Sequence, residues 1–373
     1  MSGRRSRVVV LPGDGIGPEV TEAGVRVLEA VAAREGLEIE TEALPAGAVA
    51  IERWGDPLPE PVERAARAAD AVLLGAVGLA APPPPGAPRP EEAILRLRGA
   101  LGAFADVRRG RCLPGLEHVS ALRPELAAAT DVLVVREVGG GIFASEPRGR
   151  ERAAGRRAAV DTCRYGEHEI RRVVEVACDL AAGRRGRVAS VDKANVMHTS
   201  RLWREVAAEV AAARTDVEIE HVLVDAAAAR LVSDPASFDV LVTENLFGDI
   251  LSDVLAGLVG SAAMVASANL GGGTGLFEPM HGSAPDIAGR GIANPIGMVL
   301  AVAQMLDAGL GEPAAAAAVE DALLAAVATG ARTADTARPG ERALTSAAFA
   351  DRVIDALGAG GRAGRAREAV ARA

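Results

Sequence analysis

The stretch DVLVVRE (131–137) is a continuous apolar run that ends in the charged pair Arg136-Glu137. Similar β-branched runs recur along the chain, at RVVVL (7–11), AVLLG (71–75), RVASVD (187–192), EIEHVLVD (218–225) and DVLVTEN (239–245). Several are apolar on both faces, which is typical of strands covered on each side by helices. The segments between them are longer, Ala-rich and helical in period. This alternation predicts an α/β fold with a mainly parallel sheet, in which ligands bind where strands end.

Composition narrows the class of protein. A chain of 373 residues is expected to form two domains. The formal charge of −9 argues against nucleic acid as a partner. The three cysteines form neither a close pair nor a metal-binding spacing, and no apolar stretch approaches the length of a membrane span. We therefore expect a soluble cytoplasmic protein, and we interpret its basic segment PRGRERAAGRR (147–157) as a solvated loop.

Arginines that could bind carboxylates lie in three places. In RPEEAILRLR (89–98) one helical face combines an acid, two branched apolar side chains and an arginine, namely Glu91, Ile94, Leu95 and Arg98. Taken alone, that face favours an amphipathic helix whose arginine extends to solvent. Arg108 and Arg136 follow, and the guanidinium fork matches carboxylate geometry. Three such groups suit a substrate with more than one carboxylate.

A lysine follows a buried strand in SVDKANVMHTS (190–200). Lys193 is most simply a salt-bridge partner, and it can act as a base where neighbouring charges lower its pKa. Asn195 is by default an ordinary hydrogen-bonding side chain.

The segment VTENLFGDILSD (242–253) contains the densest group of acids. Asp249 and Asp253 lie four residues apart on a helix predicted to begin after Gly248, and like charges at that spacing repel each other. Since no histidine or cysteine is near, they suit a hard cation such as Mg²⁺ or Mn²⁺. Asp225 is a candidate third ligand.

Two further segments are rich in glycine. LPGDGIGPEV (11–20) lacks the GxGxxG spacing of a dinucleotide fingerprint and is interpreted as a tight turn. GTGLFEPMHGSAPDIAGRGIANP (273–295) is interpreted as a polar loop, in which the isolated His281 is not expected to bind metal.

In the order and spacing of these motifs the chain resembles the β-decarboxylating dehydrogenases of the isocitrate/isopropylmalate type, above all their isopropylmalate members. The resemblance rests on LPGDGIGPEVTEA, RPEEAILRLR, DVLVVRE, EPRG, SVDKANV, NLFGDILSD and FEPMHGSAPDIAGRGIANP. It implies two domains with mixed, largely parallel sheets flanked by helices. Residues 1–103 plus 260–373 would form the cofactor-side domain and residues 104–259 the dimerisation and metal-side domain. It also implies a homodimer whose active sites use residues of both subunits.

The implied reaction is the NAD- and Mg²⁺- or Mn²⁺-dependent oxidation and decarboxylation of a 3-substituted malate. The implied substrate-binding residues are Glu91, Ile94, Leu95, Arg98, Arg108 and Arg136, the last three gripping carboxylates. The implied metal ligands are Asp225, Asp249 and Asp253, and Lys193 is the implied base, with Asp225 and Lys193 donated by the partner subunit. The implied cofactor-binding residues are Asn195, His281, Gly282, Ser283, Ala284, Asp286 and Asn294. Asp286 would bind the ribose 2′-hydroxyl and so select NAD over NADP.

Phe143 departs from the pattern of the family, in which a tyrosine at this position protonates the enol after decarboxylation. Loss of a general acid slows such a step by ~10²–10⁴-fold. Two alternatives therefore accompany the main interpretation. One is a divergent enzyme for another hydroxy acid, such as malate or tartrate. The other is a non-catalytic regulatory subunit, against which the retained lysine, arginines and aspartates argue.

Overall fold

The computed structural model describes residues 5–371 except 82, 85 and 154. Its strands are β1 Ser6–Gly13, β2 Ile39–Ala43, β3 Ala71–Ala76, β4 Ala103–Arg111, β5 Asp131–Glu137, β6 Gly149–Ala153, β7 Arg156–Val160, β8 Arg187–Asp192, β9 Glu218–Leu223, β10 Val240–Thr243, β11 Ala266–Gly271 and β12 Gly275–Pro279. Its α-helices are α1 Gly17–Glu35, α2 Ala48–Trp54, α3 Glu60–Ala68, α4 Glu92–Ala100, α5 Pro124–Ala128, α6 Glu167–Ala182, α7 His198–Ala213, α8 Val224–Ser233, α9 Asn245–Val259, α10 Ile296–Gln304, α11 Pro313–Ala328 and α12 Ser346–Ala371.

Ten of these strands form one sheet in the order β2-β1-β3-β12-β11-β4-β5-β10-β8-β9. Neighbours are parallel except at three central pairs, β12 with β11, β11 with β4, and β4 with β5. The predicted α/β class with a largely parallel sheet is therefore confirmed. Pairing of β4 with β11 joins the two predicted domains in one sheet. The division into two domains stays a prediction.

Helices cover the two faces of the sheet unequally. One face packs against α1, α10, α11 and α12 at one end and α6 and α7 at the other, in a continuous apolar core. On the second face, α3 and α4 pack over β1 and β3, whereas α8 and α9 pack over β5, β8 and β10. Between these two groups the central strands β4, β11 and β12 carry polar side chains on this face. This polar strip is where a site can be built.

Four predicted strands are confirmed and the ends of two are wrong. EIEHVLVD stops at Leu223, because the next two residues begin α8. DVLVTEN is a strand only over Val240–Thr243. The helix predicted to begin after Gly248 begins at Asn245, since the Glu244 carboxylate caps it by accepting from the Phe247 amide at 2.7 Å.

Two segments predicted as loops contain strands. The basic segment 147–157 contributes to the exposed β6–β7 hairpin. Within 273–295, residues Gly275–Pro279 form β12, which is buried and pairs with β3 and β11. In the described part of the chain, no helix is long and apolar enough to cross a membrane.

Candidate active site

A network of charged and polar side chains occupies the strip between α4 and α9. β4 contributes Asp106 and Arg108. β11 contributes Ser267 and Asn269, and β12 contributes Glu278. Because alternate residues of a strand face opposite sides of a sheet, these groups point away from the apolar core on the other face.

Two of the predicted substrate-binding arginines enter this network. Arg108 donates to the Asp106 carboxylate at 2.9 Å and to the Ser252 hydroxyl at 2.8 Å. Arg98 reaches the strip from α4 and donates to the side-chain oxygen of Asn269 at 2.7 Å. Arg98 also lies 3.7 Å from Asp106. The sheet therefore holds both guanidinium groups in place without a ligand.

The pKa values of the two buried acids of the network are shifted in opposite directions. Burial would raise the pKa of Asp106, but the neighbouring charges of Arg108, Arg98 and Arg136 hold it below its usual value. Burial raises the pKa of Glu278, although Arg98 opposes that effect. Asp106 is thus the acid whose ionised form the arginines favour most.

The third arginine belongs to the same cluster. Arg136, at the end of β5, donates twice to the side-chain oxygen of Asn245, at 3.0 and 2.7 Å, and forms an ion pair with Asp249. Burial lowers the pKa of Arg136, and the charge of Arg108 adds to that effect. Arg98, Arg108 and Arg136 are therefore brought together, as their proposed common ligand requires.

Phe143 lies beside Arg136 in a short 3-10 turn, Gly141–Phe143. Its ring centroid is 5.7 Å from the guanidinium carbon of Arg136, and 39% of the residue is exposed. The single tyrosine of the chain, Tyr165, lies behind this turn, where its hydroxyl accepts from the Asn245 amide at 2.9 Å and donates to Glu244 at 3.4 Å. Burial raises the pKa of Tyr165. The Tyr165 hydroxyl is hydrogen-bonded in the protein interior, so it does not replace the hydroxyl that Phe143 lacks.

Asp249 and Asp253 lie one turn apart on α9, at the edge of the arginine cluster. Burial raises the pKa of Asp253, and the charge of Asp249 raises it further. Two carboxylates that repel each other are oxygen donors of the kind that a hard divalent cation prefers. These residues fit a metal ion.

Lys193 and Asp225 form a separate pair at the ends of β8 and β9. The Lys193 ammonium donates to the Asp225 carboxylate at 2.7 Å, and this hydrogen bond lowers the pKa of Asp225. The Asp225 side chain is 66% exposed. Among the described residues no three acidic, histidine or cysteine side chains form a metal-binding group. One chain therefore does not bring Asp225 to Asp249 and Asp253.

The predicted helical face on α4 lies beside the strip. Ala93 and Leu97 form the buried stripe of this helix, whereas Leu95 is 54% exposed and Ile94 is half-buried. The predicted amphipathic helix is therefore confirmed, but its arginine does not extend to solvent, because the Arg98 side chain is only 12% exposed and donates to Asn269. Ile94 and Leu95 present apolar surface one turn before Arg98.

The predicted cofactor loop packs onto the β1–α1 turn through the Ser283 carbonyl, which accepts from the Ile16 amide at 2.8 Å. His281 Nδ1 lies 2.9 Å from the Gly282 carbonyl and must donate to it, which leaves Nε2 as an acceptor. Nε2 is buried and has no hydrogen-bond partner among the described residues. Burial also lowers the pKa of His281, so the ring is neutral. A ligand with an N–H or O–H donor would satisfy this atom.

The remaining predicted cofactor residues differ in setting. Ala284 adopts a φ of 37°, a left-handed conformation that is rare without glycine and common at binding sites. Asn294 is buried and donates to Asp335 at 2.9 Å. Gly282, Asp286 and Asn195 are exposed, and Asn195 lies in the turn after Lys193 rather than in this loop. The loop thus offers a preformed backbone with both buried and exposed polar groups.

Sequence reasoning missed the residues that hold the arginines, namely Asp106, Asn245, Ser252, Ser267, Asn269 and Glu278. A signal was available in ADVR (105–108), where apolar and polar residues alternate as they do in a strand with one polar face.

The chain is similar to known proteins over nearly its whole length. Residues 7–353 match the isocitrate/isopropylmalate dehydrogenase family. The chain is 49% identical to the 3-isopropylmalate dehydrogenase of Anaeromyxobacter dehalogenans, over 94% of this chain and 99% of that protein. It is 47% identical to the enzyme of the same name from Gloeobacter violaceus, over 95% of this chain and 99% of that protein.

Two solved structures share the fold. The crystal structure of isocitrate dehydrogenase from Methylococcus capsulatus superimposes with a TM-score of 0.84 at 34% identity, covering 94% of this chain and 99% of that one. A β-decarboxylating dehydrogenase from Thermococcus kodakarensis gives a TM-score of 0.77 at 35% identity, covering 94% and 96%. The chain belongs to the isocitrate/isopropylmalate dehydrogenase family.

Proposed function

We propose that the chain catalyses the NAD- and divalent-metal-dependent oxidation and decarboxylation of 3-isopropylmalate. The observation that carries this proposal is the convergence of Arg98, Arg108 and Arg136 beside α9, the helix of Asp249 and Asp253. Relatives at 47–49% identity named 3-isopropylmalate dehydrogenase support the choice of substrate.

The arginines bind and orient the two carboxylates of the substrate. Arg108 and Arg136 are held by Asp106 and Asn245, so the substrate meets groups already in position and little side-chain entropy is lost. Ile94 and Leu95 offer apolar surface near Arg98 for a branched group on C3. Malate, which lacks that group, would leave this surface exposed to water.

Asp249 and Asp253, with Asp225 of the partner subunit, would hold a magnesium or manganese ion, and the loop from His281 to Asn294 would hold NAD. NAD would supply the hydride acceptor, and the metal ion would supply positive charge against the negative charge that develops as CO₂ leaves. Lys193 of the partner subunit takes the proton of the substrate hydroxyl. Phe143 excludes water from one side of Arg136 but has no proton to give.

A homodimer accounts for the separation of Lys193 and Asp225 from the arginine cluster. The pair is held together in one chain, and the Asp225 side chain is largely exposed. The apolar residues Val232 on α8 and Ile250 on α9 are each 53% exposed, and a second subunit would cover them.

The direct test is an assay of the purified protein with NAD, Mn²⁺ and 3-isopropylmalate that follows NADH and CO₂ together. We expect equal amounts of both products, no reaction after chelation of the metal ion, and much lower kcat/KM with malate or tartrate. NADH from tartrate or malate but not from isopropylmalate would assign a different substrate. No NADH from any of them would support a non-catalytic role.

Mixing two impaired variants tests the shared site. At a Mn²⁺ concentration that just saturates wild type, Lys193→Met and Asp253→Asn homodimers should each show almost no turnover, the second because its metal site is largely empty. A mixed dimer keeps one intact site if Lys193 serves the partner, so unfolding and refolding an equal mixture should restore about a quarter of wild-type activity. No recovery would place Lys193 and Asp253 in the same subunit's site.

A further inference from the structure

The turn GDGIG (13–17) makes closer contacts than a simple connection needs. Gly13 and Gly15 have φ angles of 72° and 59°. A Cβ on Gly13 would lie 1.9 Å from the Ala76 carbonyl oxygen, and one on Gly15 would lie 1.9 Å from the Ser283 carbonyl oxygen. The backbone on either side of Asp14 is thus pressed against the end of β3 and against the cofactor loop.

Asp14 itself binds two further segments. Its carboxylate accepts from the amides of Ala48 and Val49, at the start of α2, at 2.9 and 3.1 Å. It also accepts from the Gly78 amide, in the loop after β3, at 3.0 Å. Asp14 is buried, and no arginine or lysine among the described residues pairs with it. A buried carboxylate satisfied only by backbone donors holds those donors strongly.

Gly78 is the point where the substrate side and the cofactor side of the site meet. A Cβ at Gly78 would lie 3.0 Å from the Ser283 hydroxyl and 3.5 Å from a carboxylate oxygen of Glu91. Ser283 is fixed from the other direction by the Ile16 amide. The β1–α1 turn therefore holds Ser283 by its backbone and, through Asp14, the loop that separates Ser283 from Glu91.

We propose that Asp14 is a positioning residue that sets the spacing between the cofactor loop and the substrate-side loop carrying Glu91. The inference rests on the proposed function, because it assumes that NAD binds at His281–Ala284. Hydride transfer is sensitive to misplacement by about 1 Å, which can cost ~10²-fold in rate. Loss of the hydrogen bond from the Gly78 amide to Asp14 lets the loop after β3 move between the two ligands. The arginine cluster stays intact, because it contacts none of these residues.

The test compares Asp14→Asn with Asp56→Asn. Asp56 is the control because it accepts from the Leu58 amide at 2.9 Å near the end of α2 and pairs with the exposed Arg96 on α4, but does not contact Gly78. For each protein, NADH affinity is measured by the fluorescence of bound NADH, and 3-isopropylmalate affinity by calorimetry with Mn²⁺, both well below the melting temperature. Asp14→Asn should weaken NADH binding by about tenfold or more and lower kcat, with isopropylmalate affinity within about twofold of wild type. The control should change neither affinity.

A purely structural role for Asp14 would lower the melting temperature and leave NADH affinity and kcat unchanged, which would overturn the inference. If wild type turns over isopropylmalate normally under those conditions, the proposed function survives that result. If wild type does not bind NADH, both fall together. Should Asp14→Asn fail to fold, Gly78→Ala keeps Asp14 and presses a methyl group against Ser283, and it must show the same selective loss of NADH affinity.

Discussion

Restoring a hydroxyl at position 143 should accelerate the enzyme. Phe143 lies beside the Arg136 guanidinium and is 39% exposed, so Phe143→Tyr adds one oxygen without repacking a core. Surface substitutions of this kind change the free energy of unfolding by less than about 0.5 kcal/mol. A change in turnover would therefore report chemistry rather than stability.

The expected size follows from the missing proton donor. A positioned general acid contributes ~10²–10⁴-fold, which corresponds to roughly 3–5 kcal/mol of barrier. Tyr165 is hydrogen-bonded in the interior, so wild type draws the proton for the enol from water. We expect Phe143→Tyr to raise kcat by ~10²-fold, the lower end of that range, because water partly replaces the acid.

The assay follows NADH and CO₂ with NAD, Mn²⁺ and 3-isopropylmalate, in H₂O and in D₂O. Wild type should show the larger solvent isotope effect, since proton transfer limits it more. Phe104→Tyr is the matched control, because Phe104 also faces an arginine, Arg172 at 4.4 Å, but lies outside the arginine cluster. It should leave kcat unchanged.

An unchanged kcat in Phe143→Tyr, with NADH affinity and melting temperature intact, would refute this reasoning. It would mean that enol protonation does not limit turnover or that another group already donates the proton. A rise in kcat shared equally by Phe104→Tyr would point to a non-specific effect instead.

Three further changes test other parts of the structure. Asp253→Asn should raise the Mn²⁺ concentration needed for half-maximal activity by about tenfold or more, because one of the carboxylate ligands is lost; titration with Mn²⁺ checks this, and an unchanged requirement would remove Asp253 from the metal site. Burial would raise the pKa of Asp131, but hydrogen bonds and charge from Arg109 and Arg184 hold it at about 2. The stabilisation from its ion pairs is therefore complete above the ordinary carboxyl pKa and is lost as pH falls from about 4 towards 2. Asp131→Asn should lower the free energy of unfolding by about 1–2 kcal/mol at pH 7, after discounting for partial exposure, and by progressively less on acidification. Urea unfolding at several pH values measures this difference. Leu251→Ala, at a fully buried position between α9 and the sheet, should cost about 2–5 kcal/mol in the same experiment, and a cost below about 1 kcal/mol would contradict the packing.

Three strands that the sequence predicts differ in one physical respect from three central strands that it misses. β1, β3 and β5 are flanked by apolar layers on both faces, so each contains a run of four or more consecutive apolar residues. β4, β11 and β12 have one face towards the site and therefore carry Asp106, Asn269 and Glu278 among apolar residues. A search for apolar runs misses such strands, because the polar side chains that form the site interrupt the apolar pattern.

The candidate residues show a similar limit. Spacing along a helix was enough to place Asp249 and Asp253 on one face of α9, but not to find where that helix begins. The Glu244 side chain supplies the cap there, and a glycine at 248 is tolerated inside the helix because its missing side chain admits Arg136. Contacts between distant segments, such as Arg98 with Asn269, follow from strand order, which local patterns do not encode.

The order of the strands along the chain has a consequence for synthesis. β4, β5, β8, β9 and β10 are neighbours in the sheet and all lie between residues 103 and 243, whereas β3 pairs with β12, which is made about 200 residues later. On the ribosome β1 can pair with β2 and β3, and the strands from β4 to β10 can pair among themselves, while β3 still lacks β12 and β4 still lacks β11. The nascent protein would therefore carry two open strand edges, on β3 and on β4, and these are the parts that a chaperone would have most reason to cover.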